Sequence, residues 1–134
     1  MERPDPAELI ERLCRAMNDR DLDSLVACFG PDYCSEHPVH PSDSLRGHAA
    51  IRRKWSKAFR EVPDFCVEPL RLLTNQDTAW VEWRWRGTQL DGTPVSWAGV
   101  AIFGVAHGQI VWGRPYMELV DEPAQDASAR RFCE

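Results

Sequence analysis

Gln109-Ile110-Val111-Trp112-Gly113-Arg114-Pro115-Tyr116-Met117-Glu118 is the stretch on which the reading of this chain turns. A period of two places Ile110, Trp112, Arg114, Tyr116 and Glu118 on one face and Val111, Gly113, Pro115 and Met117 on the other. The pattern is inverted. A strand that covers an ordinary core turns Arg and Glu to water, whereas here the charged residues share a face with the large aromatic and branched ones. Either that face is an exposed ladder whose aromatics shield their neighbours, or it lines a cavity holding a carboxylate, a guanidinium and a phenol within apolar walls. The second composition is that of a small-molecule site. Because a buried charge needs a partner or a task, the cavity is the reading carried forward.

Working outward from this strand, turn residues divide the preceding chain into hairpins. Ala106-His107-Gly108 joins it to Pro94–Val105, Leu90-Asp91-Gly92-Thr93 joins that to Thr78–Thr88, and Asn75-Gln76-Asp77 leads back to Phe65–Leu73, which Pro69 marks as bent or at an edge. In Thr78–Thr88 the apolar Ala79, Val81, Trp83 and Trp85 alternate with Trp80, Glu82, Arg84 and Arg86. The first set faces inward, so Trp83 and Trp85 are expected in the wall opposite Arg114, Tyr116 and Glu118. On the next strand, Trp97, Ala101 and Phe103 oppose Ser96, Ala98, Val100 and Ile102, and both sets are small or apolar. A strand apolar on both faces is covered on both, by a second copy of the chain or by a C-terminal segment folding back.

The first half of the chain is helical. Asp5-Pro6-Ala7-Glu8 is a capped start, followed by Leu9, Leu13, Ala16 and Met17 at helical spacing. Asn18-Asp19-Arg20-Asp21 breaks that helix, and a second carries Leu22, Leu25, Val26 and Phe29 to a stop at Gly30-Pro31. From Asp32 a short strand sets Tyr33, Ser35 and His37 on one side and ends at Pro38. Pro38–Arg46, which holds His40, is a loop. Gly47 opens a third helix with Ile51, Trp55, Ala58, Phe59 and Val62 on one face and Arg52, Arg53, Lys57 and Arg60 on the other. Helices, a short strand, a helix and then a long antiparallel sheet make an α+β order.

Composition limits the function. A chain of 134 residues is one domain, able to bury roughly two-thirds of its unfolded surface. A net charge of -5 with no Lys/Arg run argues against a nucleic-acid or anionic-membrane partner. No apolar run approaches the roughly 18 residues of a membrane span, and Met1–Asp5 lacks the character of a signal peptide, so a cytoplasmic protein is expected. Cys14, Cys28, Cys34, Cys66 and Cys133 are scattered singly, which reads as reduced thiols and implies neither a disulfide frame nor a metal. The composition after Val120 predicts a flexible tail over residues 121–134, beyond a domain of residues 1–120.

The order of these motifs resembles one family. His40-Pro41 followed by Gly47, Ile51-Arg52 and Trp55, then Pro63-Asp64, Trp80-Val81-Glu82-Trp83-Arg84 leading to Gly87-Thr88, and Gly108-Gln109-Ile110 through Arg114-Pro115-Tyr116-Met117-Glu118 look like the SnoaL-like branch of the nuclear-transport-factor-2-like (NTF2-like) fold. The resemblance covers nearly all of Ala7–Val120. It implies a cone in which three helices pack on a strongly curved, mainly antiparallel sheet around one deep pocket. In the cyclases and limonene epoxide hydrolases of this family a catalytic Asp lies on the last strand, and Glu118 occupies that position here. Arg114 and Tyr116 also match the hydrolase strand. The Arg-x-Asp pair of those hydrolases is replaced by Trp83 and Trp85, so their water-activating triad is missing. Neither the Asp-and-His pairing of scytalone dehydratase nor the oxyanion hole of ketosteroid isomerase is reproduced by a clear motif, although His37 or His40 could substitute in the former.

The chemistry available is proton transfer. Enclosure by Trp, Tyr and Ile would raise the pKa of Glu118, and Arg114 would lower it. The first outcome makes Glu118 a general acid or base, and the second makes the pair a structural clamp. His37 or His40 is the candidate second proton carrier, and Tyr116 a donor to an enolate or carbonyl oxygen. Arg114, Trp112, Trp83, Trp85, Trp55, Tyr33 and Phe59 are the candidate substrate-binding residues, the indoles serving as flat walls for a ring-containing ligand. The expected function is a cofactor-independent isomerase, cyclase or dehydratase acting on a small hydrophobic ring-containing metabolite. The alternative is a non-catalytic binding or dimerisation module that uses the same cavity. A homodimer through the outer face of the sheet is expected in either case.

Overall fold

The computed structural model describes residues 5–121. The first helix, α1 (Pro6–Asp19), starts where the Asp5 carboxylate accepts from the Ala7 amide at 3.2 Å. It ends at Arg20, whose left-handed backbone (φ 51°) lets its N–H reach back to the Ala16 and Met17 carbonyls. Helix α2 (Leu22–Ala27) is capped in the same way by Asp21, which accepts from the Ser24 amide at 3.1 Å. Strand β1 (Phe29–Ser35), a short 3-10 turn (Pro41–Asp43) and helix α3 (Gly47–Glu61) follow. The second half is four strands, β2 (Cys66–Asn75), β3 (Thr78–Thr88), β4 (Pro94–Ala106) and β5 (Gln109–Leu119).

The five strands form one mixed sheet in the order β1-β5-β4-β3-β2, with β1 parallel to β5 and every other pair antiparallel. The expected hairpin turns are all present, and Gln76 and His107 take the left-handed conformation (φ 56° and 54°) that such tight turns demand. Strand β2 lies at an edge, and its pairing slips between Pro69 and Arg71, which accounts for a proline inside a sheet. The three helices lie on the inner face, where Leu9, Ile10, Met17, Leu25, Ile51, Val81 and Ile110 form the driest part of the core. Asn18 ties α1 to the sheet, bonding both the N–H and the C=O of Val67 at 2.7 and 3.1 Å, and Arg52 of α3 pairs with Asp23 of α2 at 2.8 Å.

Three expectations are corrected. Strand β1 begins at Phe29, not Asp32, so Gly30-Pro31 lies inside a strand instead of ending a helix. Because β1 is an edge strand, a residue without an N–H is tolerated there. The cysteines are not uniformly reduced: Cys14, Cys28 and Cys34 are free, but Cys66 is disulfide-bonded. Sequence spacing carries no information on which thiols a fold brings within reach, and Cys133 falls outside the described residues. So does the expected tail, apart from Asp121.

The third correction concerns β5. Val105 pairs with Ile110, but Gly104 pairs with Trp112, so Val111 is an extra residue that the opposing strand does not match. Such a bulge inverts the facing of the residues that follow it, here as far as Met117. Ile110 points into the core as expected, whereas past the bulge the inward residues are Gly113, Pro115 and Met117, and Trp112, Arg114 and Tyr116 lie on the outer face. Two glycines accept this arrangement. A β-carbon on Gly104 would collide with the Trp112 indole on the outside, and one on Gly113 would come within 2.5 Å of the Tyr33 hydroxyl on the inside.

Candidate active site

Between the helices and the inner face of the sheet lies a cavity of about 520 Å³, within the size range of small-molecule sites. Its walls are aromatic because the inward positions of β3 and β4 carry Trp83, Trp85, Trp97 and Phe103, to which α3 adds Trp55 and the following turn Phe65. These rings pack against one another: Trp55 meets Trp85 edge-on at 5.3 Å and Phe65 edge-on at 5.6 Å, and Trp83 lies tilted against Trp85 at 5.5 Å. Each such pair contributes about 0.5–1.5 kcal/mol beyond burial, so the wall is preformed. The Trp83 indole N–H points to the Met117 sulfur at 3.2 Å, fixing the ring on the strand that the bulge has turned inward.

The polar groups gather in the segment after β1 and at the end of β5. Tyr33, Ser35 and His37 share one side of β1 and its extension, as the alternation predicts, and His40 and Asp43 come from the loop. Ser35 holds that loop: its amide donates to the Leu45 carbonyl and its hydroxyl accepts from the Leu45 amide, both at 2.9 Å. His40 Nε2 lies 2.8 Å from Glu118 Oε2, the two side chains being 49% and 59% exposed. The apolar enclosure expected for Glu118 is therefore absent, and its partner is an imidazole and not Arg114.

Electrostatics separates these groups by role. Burial, followed by the nearby Lys54 charge, lowers the pKa of His37 below its ordinary value, which keeps the imidazole neutral and able to accept a proton. Burial likewise lowers the pKa of Lys54, against a weaker upward pull from Asp43. Burial raises that of Tyr33, whose hydroxyl bonds to Ser35, so it remains a phenol. The result is a neutral base, a desolvated cation and a phenolic donor, with a carboxylate–imidazole pair at the rim.

Of the residues proposed from sequence, Glu118, His37, His40, Trp83, Trp85, Trp55 and Tyr33 line this cavity. Four do not. Trp112 and Tyr116 are each 38% exposed on the outer face. Arg114 pairs with Glu36 at 3.6 Å, and a bond to Tyr116 raises its guanidinium pKa. The Val111 bulge is the cause in all three cases. Phe59 packs behind the wall, 5.8 Å from Trp55 and 5.9 Å from Phe65, and supports the site without facing it. Conversely, Lys54, Asp43, Phe65 and Met117 line the cavity but were not anticipated. Lys54 could have been found, because it follows Ile51 by one turn and precedes Ala58 by another, at the margin of the apolar stripe. Among the described residues no group of three or more His, Cys, Asp or Glu is placed to hold a metal ion.

Solved structures share this architecture. A hypothetical protein with a ketosteroid isomerase-like fold from Catenulispora acidiphila, in complex with trimethylamine, superposes with a TM-score of 0.76 at 15% identity over 92% of this chain and 93% of that one. The epoxide hydrolase/cyclase-like enzyme SalBIII, named for a role in pyran ring formation in the polyether salinomycin, gives 0.74 at 24% identity, covering 84% and 90%. An LEH-like epoxide hydrolase from M. tuberculosis gives 0.73 at 19% identity, covering 84% and 82%. Among curated proteins, none is similar in sequence. The profile of the SnoaL-like domain matches residues 10–112, a span that runs from α1 through the bulge of β5. With that match and the cone-like fold around one aromatic cavity, the chain belongs to the SnoaL-like family.

Proposed function

We propose that this chain is a cofactor-independent acid/base enzyme of the isomerase, cyclase or dehydratase type, acting on a small hydrophobic ring-containing metabolite. One observation carries the reading: a neutral, half-buried His37 opens onto a cavity otherwise walled by four indoles. A flat substrate stacked against Trp83 and Trp85 presents its acidic C–H to His37. The Glu118–His40 pair at the rim exchanges protons with water or returns one to the substrate. Tyr33, and not Tyr116, is the phenol on the cavity side, placed to bond a carbonyl oxygen. The pyran-forming role named for SalBIII supports ring chemistry in a cavity of this architecture.

Deuterium exchange into polycyclic ketones and β-diketones, followed by mass spectrometry, tests the proton-transfer step without knowledge of the natural substrate. His37→Gln is expected to slow exchange by about 10²–10⁴-fold while ligand affinity, read by tryptophan quenching, is retained. Glu118→Gln should slow it as well. Binding without exchange in the wild-type protein would make the chain a non-catalytic ligand carrier instead.

The same reading has a single domain over residues 1–120 working in the cytoplasm as a homodimer. Register places Trp80, Ile102 and Arg114 in one row of the outer face and Glu82, Val100 and Tyr116 in the next, with Leu73 beside Trp80. Exposed Leu73, Trp80, Trp112 and Tyr116 thus belong to one outer surface, of a kind that a second copy covers.

A further inference from the structure

Lys54 is the cavity residue that acid/base chemistry at His37 leaves unexplained. It projects from α3 into the aromatic cavity and is half-buried there, its Nζ 5.6 Å from the centre of the Trp55 ring. None of the ion pairs among the described residues includes it. The other charged and titratable groups on the cavity lining are engaged or distant. Glu118 is bonded to His40, Glu61 pairs with Lys57 at 3.7 Å, Asp43 acts only from beyond ion-pair range, and His37 is neutral. An ammonium removed from water with no counter-charge costs free energy that a surface lysine does not pay. The Trp55 ring face and the remote Asp43 carboxylate offset part of that cost, but no anion among the described residues is within ion-pair distance of it.

We infer that the missing counter-charge belongs to the ligand: the ring-containing metabolite carries an oxyanion, a carboxylate or an ionised enol, which Lys54 holds beside His37. This rests on the cavity being a ligand site and narrows its substrate class. A compact point charge on a flexible stem suits either oxyanion, since no fork-like geometry has to be matched. The cation also has a consequence for the reaction. A proton taken by His37 from carbon next to a carbonyl leaves negative charge on oxygen, and an ammonium already at that end of the cavity stabilises it.

Tryptophan-quenching titrations at pH 7.5 with two matched pairs test the assignment: naphthoate against naphthamide, and lawsone against its methyl ether. The wild-type protein should prefer the anionic member of at least one pair by about tenfold or more, and the pair that shows the preference identifies the oxyanion. Lys54→Met should abolish the preference while keeping the affinity for the neutral members and an equal or higher melting temperature. Arg53→Met, on the exposed side of the same helix, should change neither. Should Lys54→Met fail to fold, the wild-type protein still decides, because the preference must fade on raising the pH before the ordinary lysine value of 10.5 is reached. Equal affinity for charged and neutral members in both pairs, or a preference that survives Lys54→Met, overturns the inference and leaves the cavity reading intact. Absence of binding by all four compounds overturns both.

Discussion

Trp83 and Trp80 lie on the same strand, one 2% and the other 48% exposed. The inner face of the sheet spends its aromatics on a preformed wall, in which Trp85 packs against both Trp83 and Trp97 and Trp55 of α3 closes over it. The outer face carries equally large side chains, but they stand apart, interleaved with Arg114 and Glu82 along the rows of the register. Composition alone does not distinguish the two faces. What separates them is phase: which residue of each alternating pair the backbone turns toward the helices.

The severest way to break this distinction is to delete Gly113, just past the bulge. With Val111 still unmatched, the deletion shifts the alternation by one residue, which would rotate Arg114 and Tyr116 inward and send Pro115 and Met117 outward. Arg114 would then be buried without Glu36, so loss of the cooperative melting transition is expected. Deleting Val111 instead leaves Trp112, Arg114 and Tyr116 facing outward and should be tolerated better; equal melts for the two deletions would show that phase does not set the facing.

A smaller effect sharpens the contrast between the two tryptophans. Trp83→Ala removes a fully buried indole and should cost about 3–5 kcal/mol in chemical denaturation. Trp80→Ala should stay within about 0.5 kcal/mol when the protein is dilute, yet weaken self-association in sedimentation experiments. Comparable losses of monomer stability would mean that the outer face is part of the core.

The smallest expected effect is a slope. The folded pKa of His37 lies below its ordinary value of 6.5, so near that value the unfolded chain binds the proton more readily. Stability from this group is therefore complete above pH 6.5 and declines as the pH falls through the lower, folded value. His37→Gln should flatten that part of the stability profile, and an unchanged slope would place the imidazole in water.

Much of the fold was legible because its signals are local. Asp5 and Asp21 announce helix starts, Asn75-Gln76-Asp77 and Ala106-His107-Gly108 announce hairpins, and the alternation of Ala79, Val81 and Trp83 with Trp80 and Glu82 gives the facing of β3 directly. Strand β1 was half legible, since Gly30-Pro31 looks the same at the end of a helix as in an edge strand. The Val111 bulge was not legible at all. Flanking residues such as Gly113 and Pro115 carry no side-chain preference strong enough to reveal a slip, so Trp112, Arg114 and Tyr116 were given to the wrong face while Glu118 still reached the rim. Lys54 carried only a weak signal: it sits at the margin of the apolar stripe, but among Arg52, Arg53 and Lys57 it reads as one more solvated cation, and the charged and titratable groups around it, His37 and Asp43, come from outside its own helix.

The 2.8 Å contact between His40 and Glu118 joins a loop to a strand that lies far from it in sequence. Among the described residues only Oε2 of that carboxylate is engaged, so a molecule that bonds to it there displaces the imidazole, and the loop is then left to its other bonds, the two between Ser35 and Leu45 among them. One short contact thus couples the freedom of the Glu118 carboxylate to the freedom of the loop that carries His40.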